Sequence, residues 1–328
     1  MRVELSCGST VWFIGDPHLG KRFENGVPLN RRGEREARQM RKFKDELETD
    51  ADVIICVGDV FDHPQVSMAT IIEAVDAIEL AARRRPNVQF FMMAGNHDRS
   101  RQLNTVGAWE IFRRIIGGRL DNVFIVDTVG KVETIVFVPW EWGKPVAQAI
   151  EERFTKSHEN VEVELVVLHH DLEAFGGNTD YMVPARLIME RFPNCQKIIT
   201  GHWHLEGDYK IDGVDVACTG SLEPYTHAED PNGELYVSLT LDELEARDPA
   251  ELKDKCVRVF LRDGEELPVG LDCLQLTGKR ITELEADPEA SVAEKLGAFD
   301  WAAILDEHLK DVEPYVREFI DERLVHNG

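Results

Sequence analysis

The chain has 328 residues, 43% hydrophobic and 30% charged, which is enough apolar material for a large packed core and excludes a disordered chain. Sixty-one acidic against 37 basic residues give a formal net charge of −24, which argues against a protein that coats nucleic acid indiscriminately. No apolar run approaches the roughly 18 residues of a membrane span, and Met1-Arg2-Val3-Glu4-Leu5-Ser6 lacks the apolar segment of a secretory signal, so the reading is a cytoplasmic protein with no membrane partner.

In chain order, strands are predicted at Val11–Ile14, Val53–Val57, Val88–Met93, Asn122–Val126, Thr134–Val138 and Glu164–Leu168, all rich in Val, Ile and Phe. Between them, Met68, Ile71, Ile72, Val75, Ile78 and Ala82 fall at helical spacing, as do Ala108, Trp109, Ile111, Phe112, Ile115 and Ile116. Apolar strands without polar alternation, covered by amphipathic helices, imply sheets buried on both faces. Further strands are expected at Lys197–Thr200, in a hairpin over Tyr209–Cys218 turning at Asp212-Gly213, and at Glu234–Thr240 and Val257–Leu261. Asp287-Pro288 reads as the start of a helix that Gly297 closes, and two more amphipathic helices, broken near Pro314, are expected over Trp301–Val312 and Val316–Leu324. The division expected is a core over 1–245 and a small capping or partner-binding region over 246–328. The six cysteines form no CxxC pair and read as buried thiols.

Charge is uneven along the chain. Residues 231–328 carry 24 acidic and 11 basic side chains, whereas residues 21–44 carry nine basic and three acidic ones. Such a basic run is ordinarily a solvated helix face. Here it follows directly on a chemically marked strand end, so a positive rim for a phosphate backbone stays open beside that reading.

Five predicted strands end in polar clusters: Gly15-Asp16-Pro17-His18, Gly58-Asp59-Val60-Phe61-Asp62, Gly95-Asn96-His97-Asp98, His169-His170-Asp171 and Gly201-His202-Trp203-His204. Ligands of open α/β sheets bind outside the carboxyl ends of strands, so the five can converge on one crevice. Asp, His and Asn are the ligand set of manganese, iron or zinc rather than a thiolate set. Alternate residues of an extended segment share a face, which lets Asp-x-His and His-x-His each aim two ligands one way. A lone Asp-x-His is weak, and Asp59 or Asp62 alone would more often cap a helix. Gly-Asn-His-Asp is expected on the order of once per thousand chains of this length, so all five in order are not coincidence.

This ordered set resembles the calcineurin-like metallophosphoesterase superfamily over residues 10 to about 240. Gly58–Asp62, Gly95–Asp98 and Gly220-Ser221-Leu222-Glu223-Pro224 resemble the SbcD-like DNA exonucleases of bacteria and phages. The resemblance implies an α/β fold, a four-layer core of buried sheets flanked by helices with a small C-terminal α+β or helical appendage. It also implies two divalent metal ions, manganese first with iron or zinc as alternatives. Asp16, His18 and His204 would hold one metal, Asn96, His169 and His202 the second, and Asp59 would bridge them. A nucleophilic water would lie between the metals. His97 would protonate the leaving oxygen or stabilise the developing charge, with Asp98 or Asp62 fixing its tautomer. His169 is taken before His170 because it follows the apolar run directly, and adjacent strand residues face opposite ways. The basic run, and not the resemblance, makes Arg35, Arg38 and Arg41 candidates to touch substrate, and Arg99 and Arg101, just past Gly-Asn-His-Asp, add to the same rim.

The function these features predict is a two-metal DNA exo- or endonuclease in end processing, repair or recombination. Its partners would be DNA and an SbcC-type ATPase, with a homodimer open. The alternative is a small-molecule or protein phosphoesterase of the same superfamily, which the net charge favours.

Overall fold

Val53-Ile54-Ile55-Cys56 carries four consecutive buried apolar side chains, and the structure shows why none is polar. Ile54 and Cys56 point into one core and Val53 and Ile55 into another, so this strand is covered on both faces. The coordinates are a computed structural model, which describes residues 1–102, 105–154, 162–172 and 179–281. The three helices expected between residues 287 and 324 lie outside the described residues.

The first sheet has the order β1-β2-β3-β4-β5: β1 (Arg2–Glu4), β2 (Thr10–Ile14), β3 (Val53–Cys56), β4 (Gln89–Met93) and β5 (Val123–Val126). Only β1 is antiparallel to its neighbour; Val11 pairs with Val53 and Val53 with Gln89 in the parallel part. The second sheet uses β6 (Gly130–Val132), β7 (Ile135–Val138), β8 (Leu165–Leu168), β9 (Lys197–Thr200), β10 (Gly207–Ile211) and β11 (Val214–Cys218) in the order β10-β11-β9-β8-β7-β6. Its centre, from β7 through β8 and β9 to β11, is parallel, and the edges are antiparallel hairpins.

The two sheets pack face to face through Val11, Phe13, Ile55, Phe91 and Met93 from one and Phe137, Leu165, Val167 and Ile199 from the other. Helices α1 (Glu34–Leu47), α2 (Met68–Arg84) and α3 (Ala108–Ile116) cover the outer face of the first sheet, where Phe43, Ile71, Ile78, Trp109 and Phe112 meet Ile54 and Phe90. Helices α4 (Val146–Arg153) and α5 (Ala185–Arg191) cover the second, placing Ile150 and Ile188 against Val166 and Ile198. The result is the expected helix–sheet–sheet–helix stack. α2 starts where the Ser67 hydroxyl accepts from Thr70 N (3.1 Å). Met68 and Ile72, which the spacing assigned to its buried stripe, are about half exposed instead.

Strands β12 (Tyr236–Thr240), β13 (Cys256–Leu261) and β14 (Gln275–Arg280) form a third sheet, with the short helices α6 (Leu241–Ala246) and α7 (Pro249–Leu252) between the first two. The chain divides into two compact units. One comprises Met1–Ser238, Arg247–Val257 and Gly270–Thr277; the other holds Leu239–Ala246, Arg258–Val269 and, among the described residues, 278–281. Five cysteines are buried as expected, but Cys7 is exposed. No described helix is long and apolar enough to cross a membrane.

Candidate metal centre

All five polar clusters sit at strand ends on one edge of the double sheet. Asp16 and His18 follow β2, Asp59 follows β3, Asn96 follows β4, His169 follows β8, and His202 and His204 follow β9. Three of these positions hold a non-glycine backbone at positive φ: His18 (44°), Asp59 (47°) and His202 (74°). Such strain costs of order 1–3 kcal/mol per residue and gathers where function dictates the conformation. The glycines that precede the ligands mainly serve close approach. A Cβ on Gly95 would lie 2.2 Å from Asp59 Oδ1, and one on Gly58, itself at φ 118°, would lie 2.3 Å from His169 Nδ1.

The carboxylates are held by the backbone. Asp59 Oδ1 accepts from His97 N and Asp16 Oδ2 from His202 N, each at 2.8 Å. The Gly220–Pro224 segment clips the first and last loops together. Asp16 N donates to Gly220 O (3.1 Å), Leu222 N to Asp16 O (3.0 Å) and Ser221 N to His204 O (3.1 Å). Tyr225 closes the floor, donating its hydroxyl to Pro17 O (2.9 Å) while its ring packs edge-on against His18 and His204.

Ligand atoms of Asp16, His18 and His204 cluster within 4.8 Å of one another, as do those of Asp59, His169 and His202, and those of His18, Asp62 and His97. His18 Nε2 lies 3.1 Å from His204 Nε2 and 3.6 Å from Asp59 Oδ2, which in turn lies 3.2 Å from His169 Nε2. His169 is therefore the motif-four histidine that faces the cluster. His170 is buried on the other side, stacked on Trp140 with ring centroids 5.3 Å apart. Burial, with His169 and His202 nearby, pushes the His170 pKa well below the ordinary imidazole value, so it is neutral.

Hydrogen bonding fixes what the other rings present. His169 Nδ1 donates to Val57 O (2.9 Å), His202 Nε2 pairs with Asp171 Oδ1 (3.1 Å), and His204 Nδ1 pairs with Glu229 Oε1 (3.3 Å). The remaining nitrogens of His169 and His202 then point lone pairs at Asn96 Oδ1, 3.0 and 2.8 Å away. Acceptors converging on acceptors need a cation between them. Asp16 Oδ1, buried with no hydrogen-bond partner, makes the same demand. Burial works against charge on His169, but Asp59 and Asp16 outweigh it and raise its pKa to about 10, so the cation demanded at its Nε2 is a proton wherever a metal ion does not take that place. Burial likewise opposes ionisation of Asp59, yet His169, His18 and His97 hold it below the usual carboxylate range. This donor set attracts positive charge and fits two divalent metal ions.

His97 stands at the rim with an exposed ring. Its Nδ1 donates to the backbone carbonyl of Asp62 (2.5 Å), which leaves Nε2 as the nitrogen for chemistry. Asp98 does not orient it. The buried Asp98 carboxylate accepts from Val60 N, Phe61 N and Gly95 N at 2.9–3.1 Å and so ties two ligand loops together. Burial and the charge of Asp59 push its pKa up to about 8 against those three donors.

The basic residues fare differently from the expectation. Arg35 is 2% exposed, donates to Tyr236 Oη (2.8 Å) and Pro224 O (3.1 Å), and lies over the Phe23 ring at 3.6 Å. Arg38 pairs with buried Glu223 (3.2 Å), and Arg31 is spent on Glu34, Asp254 and Asp272. Only Arg41 of the expected triple is exposed. With Arg22, Arg32 and Lys44 it lines a groove of about 1060 Å³ that also carries Glu24, Glu36 and Glu73. Arg99 is half-buried on Asp127 (3.6 Å), and Arg101 lies over the Trp142 ring. Asp171 and Glu229, the outer partners of the two last-motif histidines, were not anticipated. Asp171 had a signal, since it stands two residues after His169; Glu229 had none.

The family model for calcineurin-like phosphoesterases matches residues 9–206. The DNA double-strand break repair protein Mre11 of Archaeoglobus fulgidus is 26% identical over 201 residues, 55% of this chain; the chain spans 42% of that relative's length. Among solved structures, TT1561 of Thermus thermophilus is 13% identical with a TM-score of 0.42, covering 65% of this chain and 89% of its own. A dimetal phosphatase from Danio rerio is 12% identical with a TM-score of 0.39, covering 65% and 87%. Likenesses at that level carry no information about substrate.

Proposed function

The chain belongs to the calcineurin-like phosphoesterase family, and from that premise we propose a two-metal phosphodiesterase that cleaves DNA. The observation that carries the chemistry is the convergence of Asp16, His18, Asp59, Asn96, His169, His202 and His204, with His97 at their rim and its Nε2 not engaged by the Asp62 carbonyl. Asp16, His18 and His204 would hold one ion and Asn96, His169 and His202 the other, with Asp59 between them. When bound, such a pair supplies positive charge to the phosphate oxygens and acidifies an attacking water. The chain's own residues do the rest. Val57 O, Asp171 and Glu229 hold the rings in their donor orientation. Asp62 O keeps the His97 proton on Nδ1 in the neutral ring, so the charged ring carries its transferable proton on Nε2 and delivers it to the departing oxygen.

The choice of DNA rests on the similarity to Mre11 and on the SbcD-like wording of the motifs. Backbone contacts would come from Arg22, Arg32, Arg41 and Lys44 of the α1 groove rather than from Arg35 and Arg38. An SbcC-type ATPase as partner rests on the resemblance alone, and co-purification of the two chains tests it. One observation favours the second reading, a small-molecule or protein phosphoesterase: the net charge is −24 and much of the basic run is paired internally. Hydrolysis of linear single- and double-stranded DNA, of bis(p-nitrophenyl) phosphate and of p-nitrophenyl phosphate, after chelation and after manganese return, decides between them. Manganese-restored cleavage of DNA is expected; turnover of the monoester alone would overturn the proposal.

A further inference from the structure

Next to the metal centre opens a cleft of about 510 Å³, and Asn96 and His97 form part of its wall. The rest of the wall includes Trp142, Arg99, Arg101 and His63. In a chain of net charge −24, this lining carries two arginines, two histidines and no carboxylate among the described residues. Trp142 is a fixed platform. Its Nε1 donates to Arg99 O (3.1 Å), and its ring packs edge-on against Trp140 (5.2 Å between centroids) and Tyr181 (6.2 Å). Arg99 is itself anchored on Asp127. The Arg101 guanidinium carbon lies over the indole, 4.3 Å from its centroid, so this face of the ring is open to a partner other than packed protein. Arg101 is exposed and can swing aside.

We propose that this cleft is a subsite for the heterocyclic base of the nucleotide on the leaving-group side of the scissile phosphate, stacked on Trp142 in the place Arg101 occupies. The proposal rests on the phosphodiesterase reading and adds which part of the substrate the protein grips. The side follows from His97. The group that gives a proton to the departing oxygen stands in the wall of this cleft, so the fragment that departs lies within it. A base is the class of group indicated because the platform is aromatic and rigid, and because positive side chains around it suit the attached phosphate. Stacking of this kind tolerates any base. On its release, Arg101 returns over the indole.

The experiment uses a dinucleoside monophosphate and two analogues, each lacking the base on one side. The product that leaves without phosphate identifies the leaving-group side. Trp142→Ala should lower kcat/KM on the intact dinucleotide about tenfold, in line with the loss of one base–aromatic stack, and Trp142→Phe should restore most of it. The effect should vanish on the analogue lacking the leaving-group base and persist on the other. Equal losses on all three substrates, or none, would overturn the subsite. A second arm measures binding of a nucleoside monophosphate to the manganese-loaded protein. If no dinucleotide is cleaved while p-nitrophenyl phosphate is, the phosphodiesterase reading falls. The binding arm then decides the subsite: about tenfold weaker binding by Trp142→Ala keeps it, and equal affinity ends it.

Discussion

Arg35 is a charged side chain buried with no carboxylate among the described residues hydrogen-bonded to it, and removing it has a calculable cost. Its guanidinium donates to Tyr236 Oη and Pro224 O and lies over Phe23. A hydrogen bond from a charged donor contributes roughly 1.5–3 kcal/mol, and a desolvated cation–π contact about 2 kcal/mol. Release of the buried charge offsets part of the sum, so Arg35→Ala should destabilise the fold by about 3–5 kcal/mol. Arg35→Met, which keeps the volume filled, should cost less. Urea unfolding followed by intrinsic fluorescence reads this as a shift of midpoint at constant slope. The salt dependence of DNA binding is the second readout. Arg35 reaches no surface, so its removal should leave the log–log slope unchanged, whereas Arg41→Ala should lower it by about 0.9. A variant at Arg35 with the wild-type midpoint and a reduced slope would refute the argument.

His97→Ala should bind metal as the wild type does and lose roughly 10²–10⁴ in kcat; loss of metal instead would make it a ligand. Asp59→Ala should lose activity together with bound ions, counted by elemental analysis, and full occupancy in that variant would remove Asp59 from the bridge. Asp171→Asn and Glu229→Gln should each weaken metal binding by about 10–100-fold in a calorimetric titration, because each orients a ligand ring. The last concerns pH. Burial raises the Asp230 pKa, but donors at Tyr236 N, Leu235 N and Glu234 N together hold it below the ordinary value. A carboxylate depressed on folding stabilises fully above its unfolded pKa of about 3.9. The difference in melting temperature between wild type and Asp230→Asn should therefore be constant near neutrality and close as pH falls through the folded value. A gap that widens in acid would contradict the sign.

The strand ends were legible because their residue types have no structural reason to recur in that order, and the apolar runs before them are too continuous for one-sided strands. Register also carried His169: the first residue past Leu168 faces the cleft, and His170 turns into the Trp140 stack. Arg35 was misread because a charged side chain on an amphipathic helix carries no local sign of what will cover it. Its partners Pro224 and Tyr236 stand 189 and 201 residues away in the chain. Glu229 was invisible for a like reason, since only the fold brings it to His204. Asp98 misled by adjacency: a residue next to His97 in sequence directs its carboxylate to backbone N–H groups on the far side of the loop. The edge strands β1, β6 and β14 were missed because they are short or half-exposed and lack apolar alternation.

The donors come from both layers of the sandwich, Asp16, His18, Asp59 and Asn96 after strands of the first sheet and His169, His202 and His204 after strands of the second. Ions held by these residues would be gripped from both sides and would act as rivets at one edge of an otherwise apolar sheet–sheet seam. With free metal at a hundred times its dissociation constant, the rivet adds about 2.7 kcal/mol against unfolding. A chain starved of metal loses that reserve, and its unfolded fraction, on which proteases feed, rises by the corresponding factor of about a hundred. The ion supply would then set not only how fast each molecule works but how many molecules survive, so scarcity of metal would remove protein along with activity.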